Sequence, residues 1–206
     1  MIKVTEKQTH EAQERYFGKR YIGACMSKCD YSSENQAELI KWMAKPRGFL
    51  VLYGDPGVSK TYMMAAMVDW LLKRGSSLWA EGRDGKKWQL PTDFRVMRET
   101  DFFSYMRKKI AEYSNVEYQD LVNKLAESDY FFMDDLGTSQ GTEWQKEVMF
   151  AFLDTRFSSA KPTVITTNLH PKAVGEHYDH RIISRLFSKD NVILHIEGKD
   201  WRDPQL

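Results

Sequence analysis

The sequence lacks the marks of a membrane-spanning or secreted protein. No apolar run approaches the ~20 residues that a membrane-crossing helix needs. The N-terminal stretch MIKVTEKQTHEAQERY is polar, without the apolar centre of a secretory signal, so a cytoplasmic protein is expected. Cysteine is scarce, with only Cys25 and Cys29. Their C-x-x-x-C spacing is half a zinc site at most. A structural site takes four ligands, no second pair exists, and the nearest histidine is His10, so two reduced thiols on or near a short helix are expected. His170, His177, His180 and His195 share no ligand spacing and are assigned no metal. Net charge is almost absent at +1, so any basic surface for nucleic acid must be local. With 206 residues, the chain can bury a core without disulfide support.

What is present is a strand, a glycine-rich loop and a helix in one stretch, FLVLYGDPGVSKT from Phe49 to Thr61. Phe49, Leu50, Val51, Leu52 and Tyr53 read as a buried strand. The segment from Tyr62 to Leu72 carries apolar residues at helical spacing. This context makes the loop a phosphate-binding element: its backbone N–H groups and the positive end of the following helix converge on one place. Gly54, Asp55, Pro56, Gly57, Val58, Ser59, Lys60, Thr61 and Tyr62 are the expected contacts to ATP. Lys60 reaches the β- and γ-phosphates, and the Thr61 hydroxyl holds Mg²⁺. One residue is out of pattern. The motif G-x-x-x-x-G-K-[ST] asks for glycine before the lysine, and Ser59 stands there, adding a Cβ where backbone and phosphate approach closely.

The chain offers a second diagnostic stretch at Tyr130 to Asp135, YFFMDD, an apolar strand ending in two carboxylates. Beside a phosphate loop this is the Walker B arrangement, with Asp134 on Mg²⁺ and Asp135 orienting the attacking water. A further strand, Thr163 to Thr167, ends at Asn168, which in such an architecture stands next to the γ-phosphate. Leu78 to Leu90 reads as a hairpin around Asp84-Gly85, in which Trp79 and Trp88 could pair, serving either as a packed decoration or as a protruding finger. The helix from Asp101 to Tyr113 carries Phe102, Phe103 and Met106 beside Arg107, Lys108 and Lys109. It is either a core helix with a solvated basic face or a surface that tracks and stacks on single-stranded DNA. Arg181 and Arg185 lie at i and i+4 on one helical face.

Taken together, MDDLGT (Met133 to Thr138), LDTRFSSAKPTVITTN (Leu153 to Asn168) and RIISRL (Arg181 to Leu186) resemble the AAA+ ATPases of the bacterial helicase-loader group, the DnaC/DnaI type, and the related IstB-type transposition ATPases. The resemblance implies an α/β P-loop fold, a five-stranded parallel sheet of order 5-1-4-3-2 flanked by helices, with little or no lid. It makes Asn168 the sensor-1 residue, Arg181 the arginine finger with Arg185 one turn along, and Arg202 the sensor-2 position. It also implies an ATPase domain, here over 46–206, and self-association through the nucleotide sites; the short extension over residues 1–45 departs from the family, and any partner-docking element would have to be its first ~30 residues, a size that suits a helix-in-groove anchor. The function expected is ATP-dependent loading of a replicative helicase, with single-stranded DNA held by Phe102, Phe103, Arg107, Lys108 and Lys109, in a protein of phage or mobile-element origin. The alternatives are a transposition ATPase on double-stranded DNA and a non-hydrolysing adaptor whose loop is disabled by Ser59.

Overall fold

A computed structural model describes residues 4–29, 32–75, 79–81, 87–89, 93–112 and 118–201. The hairpin turn Asp84-Gly85 and Arg202 lie outside the described residues. The chain divides into two units, residues 1–30 with 61–93 and residues 31–60 with 94–206.

The first unit holds α1 (Glu6–Phe17), the body of α3 (Lys60–Gly75), and a two-stranded antiparallel ribbon of β2 (Trp79–Glu81) and β3 (Lys87–Gln89). Helix α1 begins at a capping box in which Thr5 and Gln8 satisfy each other's backbone N–H groups. Its buried Gln13 stitches the unit together, donating to the carbonyls of Ala24 (2.7 Å) and Ala65 (3.3 Å) and accepting from the Gly23 amide (2.8 Å). In the ribbon Trp88 faces Ala80, and Trp79 faces Gln89. The backbone register thus does not set Trp79 directly opposite Trp88, the pairing the sequence allowed, but offsets them by one residue. Cys25 and Cys29 flank a short 3-10 turn as free thiols, and burial, followed by the neighbouring Cys25, pushes the Cys29 thiol up to about 12.

The second unit is built on a parallel sheet whose order in space is β4 (Phe94–Arg98), β5 (Tyr130–Leu136), β6 (Thr163–Thr167), β1 (Phe49–Tyr53) and β7 (Val192–His195). Counting only these five strands, the order is 5-1-4-3-2, as the family resemblance implied. Phe49 to Leu52 and all of β6 are buried, the unbroken burial of strands enclosed on both faces. The helices are α2 (Ser33–Ala44), α4 (Glu99–Glu112), α5 (Tyr118–Ala126), α6 (Glu143–Ser158), α7 (Pro171–His177) and α8 (His180–Leu186). Alternate strand residues Phe49, Val51, Phe131, Met133 and Ile165 share one core with Phe102, Phe103 and Met106 of α4, Leu121 and Leu125 of α5, Phe152 of α6 and Ile182 of α8.

This core corrects one expectation. Phe102 is fully buried and Phe103 2% exposed, each ring against the other and Phe102 against Phe152. Neither is available to a nucleic-acid base. Positions 102, 103 and 106 form the inward stripe of α4, while Arg107 and Lys108 project outward.

A cation is also enclosed here. Arg156 of α6 is fully buried. Its guanidinium donates to the carbonyls of Ala126 (2.9 Å), Ser128 (2.8 Å) and Pro162 (2.7 Å) and to the Thr163 hydroxyl (2.8 Å), and it lies over the Phe131 ring. It thereby fixes the segments that lead into β5 and β6, the strands that deliver Asp134 and Asn168. Burial lowers its pKa to about 10, which leaves it charged at neutral pH.

Candidate active site

The C-terminal ends of parallel strands are where α/β sheets build sites, and here β1 and β6 end in register, Tyr53 opposite Thr167. The phosphate loop leaves β1 at Gly54, and Asn168 leaves β6 at the same level. The loop's course depends on two glycines. Gly54 has φ +151°, and a Cβ there would stand 2.1 Å from the Ile196 carbonyl oxygen. Gly57 has φ +88°, and a Cβ would fall 1.8 Å from a carboxylate oxygen of Asp200. The segment after β7 thus runs back along the loop, and the Trp201 amide donates to the Gly57 carbonyl (3.2 Å). Asp200 was not among the residues expected here, since nothing local in the sequence joins it to position 57.

Ser59 has φ +74°. It occupies the left-handed backbone region in which glycine is at ease and a β-carbon is not. The next residue, Lys60, is 5% exposed, and its ammonium donates to the carbonyls of Gly54 and Asp55 at 2.7 Å each. Thr61 follows as the second residue of α3.

At the end of β5 the ladder to β6 breaks between Met133 and Leu136, and the two carboxylate residues occupy the break. Asp135 has φ +56°, a second strained non-glycine position. The buried Thr166 holds both. Its hydroxyl donates to Asp134 Oδ1 at 2.6 Å and accepts from the Asp135 amide at 2.9 Å. The next threonine repeats the device, Thr167 Oγ1 donating to the Leu136 carbonyl (2.7 Å) and accepting from the Leu169 amide (3.0 Å). Sequence reasoning named Asn168 and passed over both threonines. The available signal was two hydroxyl residues at the end of a strand otherwise made for burial.

The arginines lie on α8, whose N-cap Asp179 accepts from the Arg181 and Ile182 amides (2.8 and 3.1 Å). Arg181 donates two side-chain bonds to the same carboxylate (3.1 and 2.8 Å) and lies 4.5 Å over the Phe150 ring. The Asp179 hydrogen bond raises its pKa above the usual range. Arg185 donates to Asp154 (2.8 Å) and lies 5.2 Å over the same ring. On α4, Arg107 lies 5.2 Å over the Trp144 ring, while Glu112 pairs with Lys109 (2.7 Å) and with Lys108 (3.8 Å).

Comparison with known proteins assigns the architecture. The crystal structure of the DnaC helicase loader superposes with a TM-score of 0.64 at 18% identity, covering 87% of this chain and 99% of that one. AMPPCP-bound DnaA from Aquifex aeolicus gives 0.64 at 17% identity, covering 87% of this chain and 52% of DnaA. The fold is that of an AAA+ P-loop domain. By sequence the chain resembles loaders of the DnaC/DnaI type. It is 22% identical over 152 residues to the replicative helicase loader DnaC of Buchnera aphidicola subsp. Acyrthosiphon pisum, covering 74% of this chain and 55% of DnaC. It is 21% identical over 186 residues to DnaI of Bacillus subtilis, covering 85% of this chain and 53% of DnaI. The chain therefore spans about half the length of these curated relatives. No family model matches it. Among the described residues no helix is long and apolar enough to cross a membrane.

Proposed function

We propose that this chain is an ATPase that loads a replicative helicase onto single-stranded DNA. The observation that carries the hydrolytic half of this reading is the Thr166-tied carboxylate pair, at the sheet edge from which the phosphate loop departs. The helicase half rests on the names of the relatives, both replicative helicase loaders.

In this reading the loop amides and Lys60 bind the triphosphate, the ammonium exchanging the Gly54 and Asp55 carbonyls for phosphate oxygens. Asp134, a hard oxygen donor 4% exposed, suits Mg²⁺, with Thr61 beside Lys60 in the chain as the second protein ligand. Mg²⁺ bound there would neutralise charge on the phosphates. Asp135 orients the attacking water and takes its proton, and Asn168 fixes the γ-phosphate from the neighbouring strand tip. Arg181, or Arg185 one turn along, serves the site of an adjoining copy. Arg107, Lys108 and Lys109 contact the DNA backbone, and residues 1–45 dock the helicase.

Ser59 favours a second reading, an adaptor that binds a helicase without turnover, because a left-handed serine at the phosphate approach opposes tight nucleotide binding. Nucleotide titration and turnover separate the two. Wild type is expected to bind and hydrolyse ATP, Asp135→Asn to bind without hydrolysis, and Lys60→Ala to lose binding. Equal hydrolysis by wild type and Asp135→Asn refutes the site. Helicase capture with no turnover by wild type selects the adaptor. Preference for double-stranded DNA selects the transposition-type alternative.

A further inference from the structure

Glu99 is the first residue of α4 and is fully buried. A buried carboxylate requires donors, and it finds them in one loop. Its Oε1 accepts from the Gly137 amide at 3.1 Å and its Oε2 from the Ser139 amide at 2.7 Å. The Thr138 hydroxyl, 3.4 Å from Oε2, lies nearer the Asp135 carbonyl at 3.0 Å and closes the loop on itself. On its other side the loop is pinned at Gly137 (φ +94°), where a Cβ would stand 2.4 Å from the Leu169 side chain beyond β6. These residues follow directly on Asp135, whose own φ of +56° must be sustained by its surroundings. Thr166 grips Asp135 from the β6 side; Glu99 grips the loop after it from the β4–α4 side.

We infer that Glu99 is a positioning residue that sets the carboxylate of Asp135 through loop 137–139 and links that setting to α4. Glu99 does not touch the reacting atoms. Because it is part of α4, a displacement of that helix when Arg107 and Lys108 engage a polyanion is passed to the loop, and turnover responds to the ligand. This rests on the proposed ATPase reading for its kinetic consequence, but the clasp itself is separately measurable.

Glu99→Gln is the informative variant. It preserves shape, but its amide nitrogen replaces one accepting oxygen, so either Gly137 or Ser139 loses its acceptor. ATP affinity is expected to stay within about twofold of wild type, kcat to fall by about tenfold or more, and stimulation by single-stranded DNA to vanish. Glu99→Asp, which retains two acceptor oxygens, should recover part of kcat. A variant with wild-type kcat and an intact response to DNA overturns the inference. So does parallel loss of kcat, affinity and melting temperature, which marks a merely structural residue. Amide exchange decides the matter even if wild type proves inactive. Glu99→Gln is expected to speed exchange over residues 135–139 by about tenfold while β1 and α6 keep theirs. Unchanged exchange refutes the clasp. Faster exchange in a protein that never hydrolyses ATP supports the clasp and overturns the proposed function instead.

Discussion

At the end of β5 the Thr166 hydroxyl holds the buried Asp134 carboxylate and the backbone amide of Asp135; on α8 two arginines are held by half-exposed pairs with Asp179 and Asp154. The difference is one of alternatives. A buried carboxylate cannot exchange its hydroxyl partner for water without leaving the core, so its place is part of the fold. A half-exposed ion pair exchanges with solvent at little loss, so the pairs that hold Arg181 and Arg185 do not oppose the proposed role of these arginines at another copy's site. The fixed groups suit bond-breaking, where small displacements matter. The exchangeable ones suit the proposed contact with another copy.

Removing the proposed contact between copies should give the largest effect. If Arg181 acts on a neighbour's γ-phosphate, Arg181→Ala lowers turnover by about 10³–10⁵ while ATP binding persists. The helix survives the change, since Asp179 caps it through backbone amides. Mixing isolates the contact. Arg181→Ala offers an intact pocket and Lys60→Ala an intact finger, so the pair together regain activity that neither has alone. A mixture that stays dead while both variants fold and associate breaks the comparison, and so does turnover per subunit that ignores protein concentration.

The next effect is on stability. Arg156→Met keeps the apolar stem but takes the guanidinium donor from the carbonyls of Ala126 and Ser128, while the Pro162 carbonyl keeps the Phe131 amide (3.1 Å). A buried acceptor left unpaired costs about 1–3 kcal/mol, so denaturant unfolding should show a loss of roughly 3 kcal/mol or more. A loss under about 1 kcal/mol would mean that the segments entering β5 and β6 do not depend on this cation.

These residues also mark where the sequence was legible. The places of the glycine-rich loop, the carboxylate pair and Asn168 at strand ends could be read because each is defined by its neighbours in the chain, an apolar strand and then a turn. The strand order came from the resemblance. Arg156, Thr166 and Glu99 escaped because each has partners that lie 28 to 40 residues away, Arg156 reaching Pro162 and Thr163 nearby as well, and a buried polar residue carries no local sign of burial. The spacing of Phe102, Phe103 and Met106 was visible, and as an inward helical stripe it fits the core more simply than a stacking surface. Asp200 could not have been placed, because the close approach at Gly57 is a property of the folded loop.

Thr166 tests the fixed side of the comparison. Thr166→Val preserves volume and strand preference but removes the hydroxyl that joins Asp134 to Asp135. The Asp135 amide and one Asp134 oxygen each lose a buried partner, a loss of about 1–3 kcal/mol in the orientation of the pair. If that orientation is used in the transition state, kcat falls by about ten- to a hundredfold with little change in nucleotide affinity. Thr166→Ser, which returns the hydroxyl, should return the rate. A valine variant with wild-type kcat would show that the buried bonds serve folding alone.

The smallest expected effect is at Ser59, and it sharpens the comparison because strain and crowding give different readouts. Strain belongs to the backbone: a β-carbon at φ +74° costs about 1–2 kcal/mol. Glycine relieves this in the folded state, yet it also loosens the unfolded chain by about 0.5–1 kcal/mol. The net gain in unfolding free energy for Ser59→Gly should therefore be about 0–1.5 kcal/mol. Crowding belongs to the ligand. If the Cβ of Ser59 stands where phosphate approaches the backbone, its removal tightens ATP binding by several-fold, an effect that unfolding of the free protein does not register. Equilibrium unfolding and nucleotide titration of the same two proteins separate the terms. Tighter binding without a change in stability assigns the cost of Ser59 to the phosphate approach. Greater stability at unchanged affinity assigns it to the backbone and removes the main argument for the adaptor.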